Sequence, residues 1–147
     1  MIMRVAYPVI FTEVENNVLI EIPDLKILTE ACDDKKKKWK IADAIEMARD
    51  AIGLWCITKE DEDMELPDPT TMAKIDIVGS TFYEENKSFV SMVDVDLLAY
   101  RQKNDRKMVR RNVTLPNWLN KEAEAAHINV SRVLQEALMS KLNVYKN

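Results

Sequence analysis

Apolar and polar residues alternate from the start of the chain. Met3, Val5, Tyr7, Val9 and Phe11 share one parity, as in a strand with one buried face. Pro8 lacks an N–H and is expected to place this strand at an edge or a bulge. Glu15-Asn16-Asn17 is turn chemistry, because Asn tolerates positive φ. Val18, Ile20 and Ile22 then alternate again, which predicts a hairpin. Pro23-Asp24 breaks that second strand, and 26–31 reads as a third. The period then changes. Ile41, Ala44, Ile45, Ala48, Ile52 and Trp55 recur at helical spacing, with Asp43, Glu46, Arg49 and Asp50 on other faces. This predicts an amphipathic helix packed on the sheet. Glu60 to Pro69 is acidic, holds two prolines, lacks an apolar period, and reads as an exposed loop or linker. Residues 75–78 suggest a short strand, 88–96 alternate as a longer one, and 97–102 fit one or two helical turns.

Residues 102–107 are polar and basic, and the domain boundary is placed there. Val109 to Leu115 is strand-like and stops at Pro116, a residue suited to the first helical position. Thr114 is the natural N-cap nearby. The helix is expected to run to about Ala126, with Leu119, Ala123 and Ala126 on one side. His127-Ile128 connects, and Asn129 is a good N-cap for a second helix. That helix carries Val130, Val133, Leu134, Ala137, Leu138 and Leu142 as one apolar stripe. A unit of about forty residues cannot bury enough surface alone, and a lone strand leaves its backbone groups unpaired. Two copies that pair their strands and interlock their helices solve both problems. The resulting two-stranded ribbon fits the DNA major groove.

Composition changes this picture in one respect. The chain has 147 residues, 47% of them hydrophobic, enough for a core. No apolar run approaches the roughly 18 residues of a membrane span. The N-terminus has no secretory pattern, so a soluble cytoplasmic protein is expected. Two cysteines, Cys32 and Cys56, make neither a disulfide framework nor a metal cluster. The net charge of −4 conceals a division. Residues 1–100 carry 11 Lys and Arg against 21 Asp and Glu, net −10. Residues 101–147 carry 10 against 4, net +6. The basic end suits nucleic acid, and the acidic end suits a basic protein. Four consecutive lysines at 35–38 read as a solvated loop.

A nuclease using clustered carboxylates on two Mg²⁺ ions is the enzymatic alternative, with Asp24, Asp94 and Asp96 as its candidates. Asp24 follows Pro23 and reads better as a turn residue. His127 is the only histidine, so no histidine acid–base pair forms within one chain. With only Gly53 and Gly79, there is no phosphate-cradling loop. No enzyme, metal or cofactor is expected. A stand-alone repressor with a ligand-sensing N-terminal domain is the other alternative.

The strand ending at Pro116 and the two helices after it resemble the Arc/MetJ ribbon–helix–helix family. Alignment on that proline implies that Arg110, Asn112 and Thr114 face DNA. These residue types can read guanine, adenine and a thymine methyl, respectively. The free N–H groups of Val130 and Ser131, behind Asn129, suit a backbone phosphate. Val113, Leu115, Leu119, Val133, Leu134, Ala137 and Leu138 would form the dimer core. Arg111 departs from the pattern, standing where an apolar residue is usual.

Tyr7-Pro8-Val9-Ile10-Phe11, Ile20-Glu21-Ile22-Pro23-Asp24-Leu25, the alanine-rich helix, Val93-Asp94-Val95-Asp96 and Tyr100 resemble the HicB antitoxin family. So do Pro116-Asn117-Trp118-Leu119 and Ile128-Asn129-Val130-Ser131. The family pattern has a glycine before the helix, where this chain has its lysine run. The resemblance implies an α+β chain: a partial RNase-H-like sheet with a packed helix (β-β-β-α-β) over 1–101, a linker over 102–107, and a ribbon–helix–helix module (β-α-α) over 108–147. It further implies binding of a small, basic, mRNA-cleaving HicA-type toxin, and autorepression of the operon by a DNA-bound homodimer or higher oligomer. The acidic run Glu60, Asp61, Glu62 and Asp63 is the candidate toxin contact.

Overall fold

The computed structural model describes residues 4–32 and 40–145. The chain divides into two compact units, Met1–Lys103 and Asn104–Asn147. The lysine run at 35–38 lies outside the described residues.

The first unit is built on strands β1 (Arg4–Glu13), β2 (Asn17–Ile22), β3 (Ile27–Cys32) and β4 (Ser88–Asp96). They form one antiparallel sheet in the order β3-β2-β1-β4. Helix α1 (Lys40–Asp61) covers one face. Tyr7, Val9, Phe11, Val18, Ile20, Ile22, Val93 and Val95 have the parity that faces it, and all are buried. From the helix come Ala44, Ala48, Ile52 and Cys56, four residues of one stripe and fully buried. The small alanines let the helix sit close to the sheet. Each large side chain so buried contributes about 1.5–3 kcal/mol.

Pro8 lies within a central strand, not at the sheet's edge as its missing N–H suggests. The register explains the exception. β2 pairs only with Ile10 to Glu13, so at Pro8 the strand has a sheet neighbour on the β4 side alone.

α1 runs past Trp55 to Asp61, so Glu60 and Asp61 are helical and not part of a loop. It closes on Asp63, whose φ is 54°. Met64 N–H donates back to Lys59 O (2.9 Å) and Asp63 N–H to Glu60 O (3.1 Å). The segment from Glu62 to Lys87 then returns to β4, and it is pinned at three places. Tyr7 Oη donates to Pro67 O (2.7 Å). Thr70 donates from its N–H and hydroxyl to the two oxygens of Asp24 (2.7 and 2.6 Å). Thr81 does the same to Glu21 (2.9 and 3.1 Å). Residues 75–78 form no strand. Asp76 accepts the Gly79 N–H (3.0 Å) and Ser80 N–H donates to Ile77 O (3.1 Å), so local turn bonds displace a ladder.

Helix α2 (Leu97–Asn104) follows β4 directly, with the Asp96 carboxylate accepting from Ala99 N–H (2.9 Å). It docks on α1 at Gly53, where an added Cβ would lie 2.6 Å from the Tyr100 ring. Tyr100 Oη donates to Asp50 Oδ1 (2.9 Å).

The second unit contains helices α3 (Asn117–Ala125) and α4 (Val130–Leu142). The strand expected over 109–115 is absent: residues 105–116 carry no regular structure. A single chain supplies no neighbouring strand to receive those backbone groups. Thr114 does not cap α3. Pro116 occupies the N-cap position, with Asn120 N–H donating to its carbonyl (3.0 Å). α3 ends on His127, held at φ 54°, with Ile128 N–H donating to Ala123 O (3.0 Å). Asn129 caps α4, its side chain accepting from Arg132 N–H (3.1 Å).

Candidate functional site

The second unit has an uncommon property: none of its described residues is buried. Helical spacing puts Val130, Val133, Leu134, Ala137 and Leu138 on one face of α4. On that face Val133 is 51% exposed and Leu138 52%. Leu119 on α3, and Val113 and Leu115 before it, are likewise open to solvent. Arg110, Asn112 and Thr114 alternate with Val109, Arg111, Val113 and Leu115 along the exposed approach to Pro116. At the start of α4, Asn129 uses its side-chain oxygen on Arg132 N–H. The N–H groups of Val130 and Ser131 have no intrahelical acceptor, as at any helix start. An apolar face, a row of DNA-reading residue types and a helix start thus fall within one short basic segment.

In the first unit, the acidic run is partly consumed by the fold. Arg101 donates to Glu60 Oε2 (3.0 Å), Asp61 Oδ1 (2.9 Å) and Ile57 O (3.3 Å). Both members of the Arg101–Glu60 pair are largely buried, so losing either leaves a poorly solvated charge. Burial alone would lower the Arg101 pKa, but the bonds to Glu60 and Asp61 outweigh it and raise it. Glu62 pairs with Lys59 (2.8 Å), and Asp63 is the left-handed residue that ends α1. Asp61, Glu62 and Asp63 still present their side chains to solvent. Arg101 has no local sequence signal, because its partners lie forty residues away.

The three carboxylates a nuclease would need are each engaged elsewhere. Asp24 holds Thr70. Asp94 takes Arg4 (3.1 Å) and Arg49 (3.4 Å), and Asp96 caps α2. No cluster of three or more metal-ligating side chains occurs among the described residues. Burial, with the Glu60 charge adding to it, pushes the Cys56 thiol up to about 11, so it is no thiolate near neutral pH. Burial and nearby negative groups push Tyr7 up to about 12. Burial and the bond to Asp50 do the same for Tyr100. These are structural groups held in their neutral forms. No helix among the described residues is long and apolar enough to cross a membrane.

No curated protein matches the chain. A chain from a solved toxin–antitoxin complex of Streptococcus pneumoniae is similar in fold, with a TM-score of 0.55 at 22% identity. The match covers 95% of this chain and 99% of that one. The family model for the HicB-like antitoxin of bacterial toxin–antitoxin systems matches residues 7–138, nearly the whole length. The chain belongs to the HicB-like antitoxin family.

Proposed function

We propose that this protein neutralises a small, basic, mRNA-cleaving toxin of the HicA type and represses the operon encoding the pair. In this reading residues 1–101 form a partial RNase-H-like domain that covers the toxin, and the linker expected at 102–107 shortens to 105–107, because α2 runs on to Asn104. Residues 108–147 form a ribbon–helix–helix half that is completed by a second copy and binds operator DNA. The observation that carries the DNA-binding part is the bare second unit. Among the described residues, its apolar stripes on α3 and α4 stay exposed or only partly covered, and its strand-like approach forms no ladder. Two copies would bury both, at about 1.5–3 kcal/mol for each large side chain enclosed. The paired 109–115 segments would then set Arg110, Asn112 and Thr114 on the ribbon's outer face. Asn129, Val130 and Ser131 would meet a phosphate.

The charge division supports the toxin-binding part. An acidic first unit steers a basic partner, so the association rate falls with salt. Asp61, Glu62 and Asp63, with Glu60 behind them, are the candidate contacts. The test is purification of the full chain with the product of its neighbouring gene, followed by binding to the native promoter at two salt concentrations. A small basic partner and a salt-sensitive promoter complex are expected. Promoter binding with no partner would leave a plain repressor, and a partner with no promoter binding would remove the repressor role.

A further inference from the structure

The first unit leaves a sheet edge open, and its pattern of free backbone groups can be read residue by residue. Glu13 N–H donates to Lys87 O (3.1 Å), which fixes the hydrogen-bonding phase of the β1–β4 ladder. In an antiparallel pair, bonded and non-bonded positions alternate. The register therefore puts the backbone groups of Phe89, Ser91, Val93 and Val95 toward β1. Those of Ser88, Val90, Met92 and Asp94 point away from the sheet. Two contacts agree with this phase. Ser88 N–H turns to Glu84 O (3.1 Å), and Asp94 O accepts from Arg49 Nε (3.2 Å). Between them, the N–H groups of Val90, Met92 and Asp94 and the carbonyl of Val90 have no partner among the described residues.

Open edges are normally blunted by proline, an inward charge, a bulge or a lysine on the strand. β4 has none of these between Ser88 and Val93; the turn Met72–Lys74 lies close to the strand but takes none of its outward backbone bonds, and β4 pairs with β1 without interruption over nine positions. Phe89 and Met92 are partly exposed beside it. Such an edge is a template for an added strand. Charge decides which strand. A second copy would bring another acidic segment, net −10 over residues 1–100, against the first. A basic protein meets no such repulsion.

We infer that the outer edge of β4 receives an extended strand of the basic toxin, extending the sheet to five strands. The inference rests on the toxin-binding reading above and adds its mode of contact. The test is residue-resolved amide exchange on the full-length protein, alone and in complex with the toxin from its own operon. Val90, Met92 and Asp94 amides should slow at least tenfold in the complex. Phe89, Ser91, Val93 and Val95, already bonded to β1, should change little. A Val90→Pro variant, which removes an outward N–H and no bond to β1, should bind toxin at least tenfold more weakly with an unchanged circular dichroism spectrum. A stable complex with unchanged outward amides would overturn the inference and leave the antitoxin reading intact. Failure to form any complex would overturn both. Protection that grows with the protein's own concentration in the absence of toxin would overturn it in favour of a second copy.

Discussion

The two units solve the burial problem in opposite ways. The first encloses a complete core between one sheet face and one helix, with Phe11, Ile20 and Ile52 fully buried. The second has the same kinds of apolar residue at the same helical spacing but buries none of them. The first is acidic and the second basic. A stripe read from sequence says that a face will be covered, but not whether the cover comes from the same chain. The second unit is accordingly expected to depend on concentration, and the first is not.

The largest effects should separate the units. Ile52→Ala opens a cavity in the first core and should cost about 2–5 kcal/mol, read by urea unfolding of the first unit. Leu134→Asp should cost about 3–5 kcal/mol of dimer stability by burying an unpaired charge, read by sedimentation. Neither should disturb the other unit, and a single shared loss in both variants would argue against independence. Gly53→Ala comes next. Its Cβ would meet three Tyr100 ring atoms at 2.6–2.8 Å, so α2 must shift. Differential scanning calorimetry should show a loss of about 1–3 kcal/mol confined to the first unit. Arg110→Ala should cost about 1–3 kcal/mol in operator binding and relax one base position. An equal loss on random DNA would make it a phosphate contact instead.

Alkaline pH should weaken the first unit alone. Cys56 is raised from 9.0 to about 11, and Tyr7 and Tyr100 from 10.0 to about 12. Well below pH 9 these groups are protonated in both states and add no slope. As the pH nears and passes 9 the unfolded chain releases protons that the fold retains, so stability falls progressively up to about pH 12. A urea midpoint that stays level across this window would contradict the assignment. The smallest effect is a gain. His127→Gly relieves a left-handed residue and should stabilise the second unit by up to about 1 kcal/mol.

Strand and helix positions in the first unit were legible because most elements bury one face; β1 is the exception, buried on both faces from Tyr7 to Thr12. The parity of Tyr7, Val9 and Phe11 and the spacing of Ala44, Ala48 and Ile52 are direct records of that. Three features were not legible. Helix ends at Asp63, His127 and Asn143 use left-handed residues other than glycine, so the usual stop signal is missing. The Asp24–Thr70, Glu21–Thr81 and Arg101–Glu60 contacts join residues 41 to 60 positions apart, and no local pattern encodes them. That is why 60–69 reads as a free linker although Glu60 and Pro67 within it are held by Arg101 and Tyr7. In the proposed dimer, 109–115 would become a strand only beside a second copy, and the bases or toxin atoms that would meet either unit are not written in one sequence. Asn129 was legible because capping is a contact made within three residues.

The second unit is proposed as half of a dimeric DNA-binding module. The most direct test is sedimentation of the full-length protein across a hundredfold concentration range, for wild type and Leu134→Asp, with promoter binding measured on the same samples. The account predicts a wild-type dimer that binds the promoter and a monomeric variant that does not, with the first unit folded in both. A monomeric wild type that still binds its promoter, or a Leu134→Asp variant that remains dimeric, would contradict it.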